Sequence, residues 1–311
     1  MLSTKVKIAA LSASYLFSIT GYANNCEQVN FADVGWTDIT ATTAVASELL
    51  HGLGYKTQIQ HLSVPATYAS MAKGDIDVFL GNWMPTMEAD IREYRQSGSV
   101  EIVRANLTGA KYTLAVPRYV YQAGVTQFSD IAKFADKFSY KIYGIEPGND
   151  GNRLIQSMID TDAFGLKDFS IIESSESGLI AQVSHAISQH QWISFLGWAP
   201  HPMNSNFDMV YLSGADDYFG PDFGGANVYT NVRQGYQQEC ANVSQLMANL
   251  AFSLEMENQL MDAILNQNQN PAEAAKNWLK NNSPILDKWL ADVTTQDGKP
   301  ATPAVIEYLT H

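Results

Sequence analysis

The stretch DVFLGNWMPTMEAD, residues 77–90, decides how this chain is read. Val78-Phe79-Leu80 is the apolar end of a buried strand, and from Glu88 onward the pattern turns helical. Between them stand Gly81, Asn82, Trp83 and Met84-Pro85: a glycine, an amide, the largest apolar side chain and a proline that lets neither element continue. A tryptophan just past a strand end, where loops face water, needs a reason. The arrangement recurs at Gly35-Trp36 and Gly197-Trp198.

Outward from this stretch, strand and helix alternate. Strands are expected at 29–34, 55–62 and 77–80, with helices at 40–53, 68–73 and 88–96. The theme repeats with strands expected at 112–116, 141–145, 169–172 and 192–196, and helices at 128–134, 151–160 and 178–189. Strands at 209–212 and 226–232 follow, then four helical segments between 243 and 290. Such alternation predicts an α/β fold with a mainly parallel sheet and helices on both faces. Ligands of open parallel sheets lie beyond the carboxyl ends of the strands. Trp36, Trp83 and Trp198 each follow a predicted strand, so all three would line one such edge as the walls of a cleft. The competing reading is core packing, which is also the reading of Trp192, Trp278 and Trp289.

Aromatic faces converging on a cleft suit a cation that cannot donate hydrogen bonds. A quaternary ammonium is drawn to the negative ring faces, each contributing about 0.5–2 kcal/mol. Three or four faces give roughly micromolar binding, about −8 kcal/mol. An ordinary ammonium fares worse, because its N–H donors go unpaired. Tyr112, opening a strand after Gly109-Ala110-Lys111, is a candidate fourth face. Asp38 is placed to pair with the guest's charge or to accept from its hydroxyl; a first-turn acid of the 40–53 helix is the alternative. Asn149, in EPGNDGNR (146–153), either caps the following helix, as its spacing favours, or offers its amide to a ligand hydroxyl.

The 311 residues, 46% hydrophobic and 16% charged, can fill more than one core. Residues 1–23 read as a cleaved secretory signal: Lys5 and Lys7, the uncharged IAALSASYLFSIT, then Gly21-Tyr22-Ala23. A buried N-terminal helix is the alternative. No later run is long and apolar, so the mature protein is expected to be soluble and exported. Export to an oxidising compartment lets Cys26 and Cys240, the only cysteines, pair. Such a long loop would stabilise by about 5 kcal/mol at most. Two unpaired thiols are the alternative, and Asn25 argues against a lipid-modified Cys26.

The net charge is −13, and loss of the leader brings it to −15. That repels phosphate backbones and anionic lipid, which argues against nucleic-acid binding. Histidines 51, 61, 185, 190, 201 and 311 show no metal-site spacing, and no nucleophile elbow or phosphate loop is present. No catalytic residue, metal or cofactor is assigned. Glu173, Glu176 and Asp77 are read as solvated acids, and His201 as structural.

The segments FADVGWTDITATTA, DIDVFLGNWMPTME, GAKYTLAV, KIYGIEPGNDGNR, FLGWAPHPMN and FGGANVYTNVR together resemble the periplasmic choline-binding proteins of ABC importers, within the glycine betaine/choline group of substrate-binding proteins. The resemblance runs from about residue 26 to about 298. It implies a two-lobed substrate-binding fold of type II, with the ligand in the interlobe cleft. One lobe would comprise 24–107 and 208–311, the other 108–207. It further implies an aromatic box of Trp36, Trp83, Tyr112 and Trp198, polar contacts from Asp38 and Asn149, and a Cys26–Cys240 disulfide. The expected partners are choline or a related quaternary ammonium and the permease and ATPase of an importer, the protein itself acting as a periplasmic monomer. Glycine betaine or another betaine, a sensory role without transport, and an exported choline-ester hydrolase are the rival readings.

Overall fold

A computed structural model describes residues 25–311; the leader expected at 1–23 lies outside the described residues. In chain order the strands are β1 Gln28–Asp33, β2 Lys56–His61, β3 Val78–Met84, β4 Val100–Pro117, β5 Lys141–Tyr143, β6 Ser170–Ile172, β7 Phe195–Ala199, β8 Met209–Tyr211 and β9 Gly225–Arg233. They join in one sheet of order β2-β1-β3-β9-β4-β7-β5-β6, with β8 paired to β4. Both arms are parallel: β1 pairs with β2 and β3, and β5 with β6 and β7. The central pairings of β9 with β3 and β4, and of β4 with β7 and β8, are antiparallel. The parallel pattern expected from the alternation therefore holds in the arms. The sheet is mixed because β4 runs from one arm to the other instead of returning beside β3.

That crossing strand was only half legible. The sequence suggested a strand from Tyr112, whereas β4 starts at Val100. Its first part pairs with β9 and its Lys111–Ala115 part with β7, through register shifts between Ile102 and Ala110 that bend it. Arg104 and Asn106 interrupt the apolar alternation. Both are bonded to packed backbone: Arg104 Nη1 donates to the Ala248 carbonyl at 2.8 Å and Asn106 Nδ2 to that of Leu80 at 2.9 Å.

The longer helices are α1 Thr37–Gly52, α2 Val64–Lys73, α3 Glu88–Ser97, α4 Asp150–Asp160, α5 Glu176–Ser188, α6 Ala241–Asn249, α7 Leu254–Leu265, α8 Pro271–Asn281 and α9 Ala301–Thr310. Nearly all of α1 is buried, because α7, α8 and α9 cover the side turned from the sheet. The last helix was not anticipated. Pro303 looks like a breaker, but it sits in the first turn of α9, where an N–H has no intrahelical acceptor. Tyr308 of α9 donates to Glu48 Oε2 of α1 at 2.8 Å. The expected disulfide is present, joining Cys26 to Cys240 with the Cα atoms 5.6 Å apart. Among the described residues no helix is long and apolar enough to cross a membrane, and no cluster of three or more His, Cys, Asp or Glu is arranged to hold a metal.

Trp83 and Trp198 correct the opening reading. They lie inside β3 and β7, each one residue from the strand's end, rather than beyond it. Gly81 is likewise a strand residue and not a turn. A Cβ there would lie 2.8 Å from Ile39 Cδ1, so the glycine exists to let α1 lie close on the sheet.

Candidate ligand cage

Trp36, Asp38, Trp83, Tyr112, Ile145 and Trp198 line one cavity. They come from the β1–α1 turn, the first turn of α1, β3, β4, the segment after β5, and β7. Each of the four rings is 5% exposed or less, so a guest among them is almost wholly enclosed. Trp83 and Tyr112 meet at 63° with centroids 6.0 Å apart, and Phe219 supports Tyr112 edge-on at 5.8 Å.

Local chemistry sets each wall. Asp33 at the end of β1 accepts from Gly35 N (2.7 Å) and Thr40 Oγ1 (2.7 Å), which shapes the turn that delivers Trp36 to the N-cap of α1. The indole N–H of Trp36 donates to Glu146 Oε1, 110 residues away. Trp83 Nε1 donates to Asp38 Oδ2 at 3.1 Å. The other oxygen of Asp38, Oδ1, is buried without a partner among the described residues. Tyr112 donates its hydroxyl to Asn149 Oδ1 at 2.7 Å. Gly151 makes this approach possible, since a Cβ there would fall 2.1 Å from the Tyr112 hydroxyl.

Five of the six residues singled out from sequence are therefore walls of one cavity. Asn149 stands behind Tyr112 rather than in the lining. It is also the N-cap of α4, with Oδ1 accepting from Asn152 N at 3.1 Å. Its Nδ2 donates one proton to Asp150 Oδ1 at 3.2 Å.

The surroundings are rich in carboxyls. Burial drives Asp38 up to about 8; neighbouring Glu176 pushes the same way, and the bond from the Trp83 indole opposes it. Burial is also the main reason that Glu146 rises to about 7 and Asp150 to about 6. Glu257 on α7 is pushed well above the usual carboxylate range by burial and then by Asp38. A cation in the cavity would relieve this crowding of carboxyls, whereas a further carboxylate would add to it.

Sequence reasoning missed Ile145, Glu146 and the role of Glu176. Glu176 is not a solvated acid: its Oε2 accepts from Thr37 N at 2.8 Å and its Oε1 from His201 Nε2 at 2.8 Å. Asp77 is also buried, paired with Arg233 Nε at 2.8 Å. No local signal marks either acid, because their most distant partners lie 139 and 156 residues away and the nearer ones are still 25 and 47 residues off.

Residues 27–281 match the family described as the substrate binding domain of ABC-type glycine betaine transport systems. An ABC-transporter choline-binding protein solved with choline is 56% identical, covering 91% of this chain and 98% of its own, with a TM-score of 0.90. An unliganded, semi-closed structure described in the same words is also 56% identical, over 92% and 99% of the two chains, with a TM-score of 0.85. Lactococcal OpuAC, closed on glycine betaine, is 27% identical over 84% of this chain and 98% of its own, at a TM-score of 0.76. The chain belongs to the substrate-binding family of ABC-type glycine betaine transport systems.

Proposed function

We propose that the protein captures choline, or a closely similar quaternary ammonium, in this cage and delivers it to the permease and ATPase of an ABC importer. The observation that carries the reading is the pairing of four enclosed ring faces with the unpartnered Oδ1 of Asp38. Trp36, Trp83, Tyr112 and Trp198 take the methylated nitrogen and Asp38 its charge. Asn149, with one Nδ2 proton not given to Asp150, is assigned the hydroxyl. The choline complex of the 56% identical relative supports this assignment.

The same reading divides the chain into one lobe of 24–107 and 208–311 and another of 108–207, with the crossings within β4 and at residues 207–208, just before β8. It places the mature protein in the periplasm after cleavage near Ala23, a compartment that the disulfide suits. It makes the action binding and hinge closure rather than chemistry. None of the six lining residues carries an aliphatic hydroxyl or thiol that could serve as nucleophile.

Glycine betaine is the second reading, favoured by the family description. Asp38 argues against it, since a betaine brings its own carboxylate to an already crowded set of acids. Calorimetry with choline, acetylcholine, carnitine and glycine betaine decides between them. Choline is expected to bind at least tenfold tighter than glycine betaine, about 1.4 kcal/mol or more. The reverse order removes the choline assignment, and turnover of acetylcholine removes the purely binding role.

A further inference from the structure

Glu176 stands in the first turn of α5, outside the cage lining, and is only 5% exposed. Its two oxygens serve two different parts of the chain. Oε2 accepts the backbone N–H of Thr37, the first residue of α1, at 2.8 Å. That N–H has no acceptor within its own helix, and the helix start favours a negative partner. Oε1 lies 2.8 Å from Nε2 of His201, itself 2% exposed. On the far side of that ring, Nδ1 accepts the backbone N–H of Met203 at 2.9 Å. A backbone amide only donates, so the ring proton is assigned to Nε2 and goes to Glu176. The His201 ring packs edge-on against Trp198, at 4.7 Å between centroids and 67°. One carboxylate thus ties the turn bearing Trp36 and Asp38 to the strand bearing Trp198.

Other contacts cross the same boundary, but they differ in kind. Glu146 bonds directly to a cage ring. Arg153, which reaches Asp90 and the Thr86 carbonyl, is 40% exposed, so water competes with its bonds. Glu176 is buried and hydrogen-bonds to no lining ring, yet it holds one opposing wall directly and the other through His201.

We propose that Glu176 is the positioning residue that holds the binding cleft shut: its carboxylate captures the first N–H of α1 only when the two lobes meet, and the His201 clamp couples that capture to Trp198. This rests on the proposed lobes and ligand. When the lobes part, water takes the Thr37 N–H, while the His201 bond, lying within residues 108–207, stays. Guest dissociation therefore requires Glu176 to release α1.

The test uses two variants of the full mature protein. Glu176→Asp keeps the charge but shortens the reach, so it is expected to retain His201 and lose Thr37. Glu176→Gln leaves a single acceptor oxygen for two donors. Both are expected to weaken choline binding about tenfold, carried by faster dissociation with association nearly unchanged. Both should also speed hydrogen exchange at the Thr37 amide. A lower melting temperature with unaltered dissociation and exchange would mean that Glu176 only supports the fold, and the proposal fails. If Glu176→Gln does not fold, Glu176→Asp alone decides on the same two readouts. If the unaltered protein binds no quaternary ammonium, the functional reading falls by itself. The closing role is then judged by Thr37 exchange in the ligand-free proteins: faster exchange in the variants supports it, and equal exchange overturns it.

Discussion

Trp198 and Trp289 are both buried indoles, and they do opposite things. Trp289 spends its faces on its neighbours: Trp278 stacks on it at 6.1 Å and 26°, and Phe252 meets it edge-on at 5.9 Å. Trp198 has the His201 edge on one side and the cage on the other. The N–H groups differ as well. Trp36 and Trp83 of the cage donate to Glu146 and Asp38, whereas Trp289 Nε1 has no partner among the described residues. Burial therefore does not separate a packing tryptophan from a binding one. What separates them is whether a ring face is claimed by the protein's own side chains.

The largest effect is expected on the packing side of this contrast. Trp289→Ala should cost about 3–5 kcal/mol of folding stability, as truncation of a buried aromatic does. Denaturant titration reads the loss, and choline affinity in the folded fraction should stay as it was. Trp198→Ala should do the reverse. It is expected to remove about 2–4 kcal/mol of binding by calorimetry, with a much smaller change in ligand-free melting. Parallel losses of stability and affinity in both variants would erase the distinction.

Smaller effects sharpen the role of the carboxylate between the rings. Asp38→Asn keeps the shape and the acceptor for Trp83 but removes the charge. The preference for choline over glycine betaine should shrink by about tenfold, about 1.4 kcal/mol. An unchanged preference would shift discrimination onto the ring geometry alone.

The smallest effect is a pH slope. With its pKa raised to about 8, Asp38 is protonated in the ligand-free protein near neutral pH, and a bound cation favours the carboxylate. Binding then releases a proton, and choline affinity should rise with pH up to about 8 and level off above. The slope is at most tenfold per pH unit for one proton. Folding has the opposite sign. A carboxyl with a raised native pKa takes up a proton on folding, so ligand-free stability contributed by Asp38 falls as pH rises from about 4 to about 8. The gain in melting temperature on adding choline should accordingly grow across that range. Glu146, near 7, and Asp150, near 6, add to the lower part of the slope. Asp38→Asn should remove the part above pH 7.

Much of this was readable in advance. The alternation of apolar segments announced the parallel arms, and tryptophans one or two residues after a glycine near strand-like runs announced three of the four rings. The misplacements are equally instructive. Trp83 and Trp198 read as loop residues because a glycine before each looked like punctuation, whereas Gly81 is a strand residue making room for Ile39. The start of β4 was hidden by Arg104 and Asn106, whose bonding partners come from distant parts of the chain. Asn149 was identified both as a cap and as a site residue; the cap is present, and the amide stands one layer behind the ring it supports.

Local periodicity determined most of the element types, six short motifs carried the resemblance to a family, and residue chemistry set the kind of guest that three or four aromatic faces suit, because each of these depends on residues close together in the chain or on side-chain chemistry alone. Tertiary structure alone decided which carboxylates matter. Glu146 reaches Trp36 across 110 residues and Glu176 reaches Thr37 across 139, and both acids look like ordinary surface charges until the sheet brings their partners to them. Hydrogen bonding and burial act through space within a few ångströms, and no spacing along the chain records them.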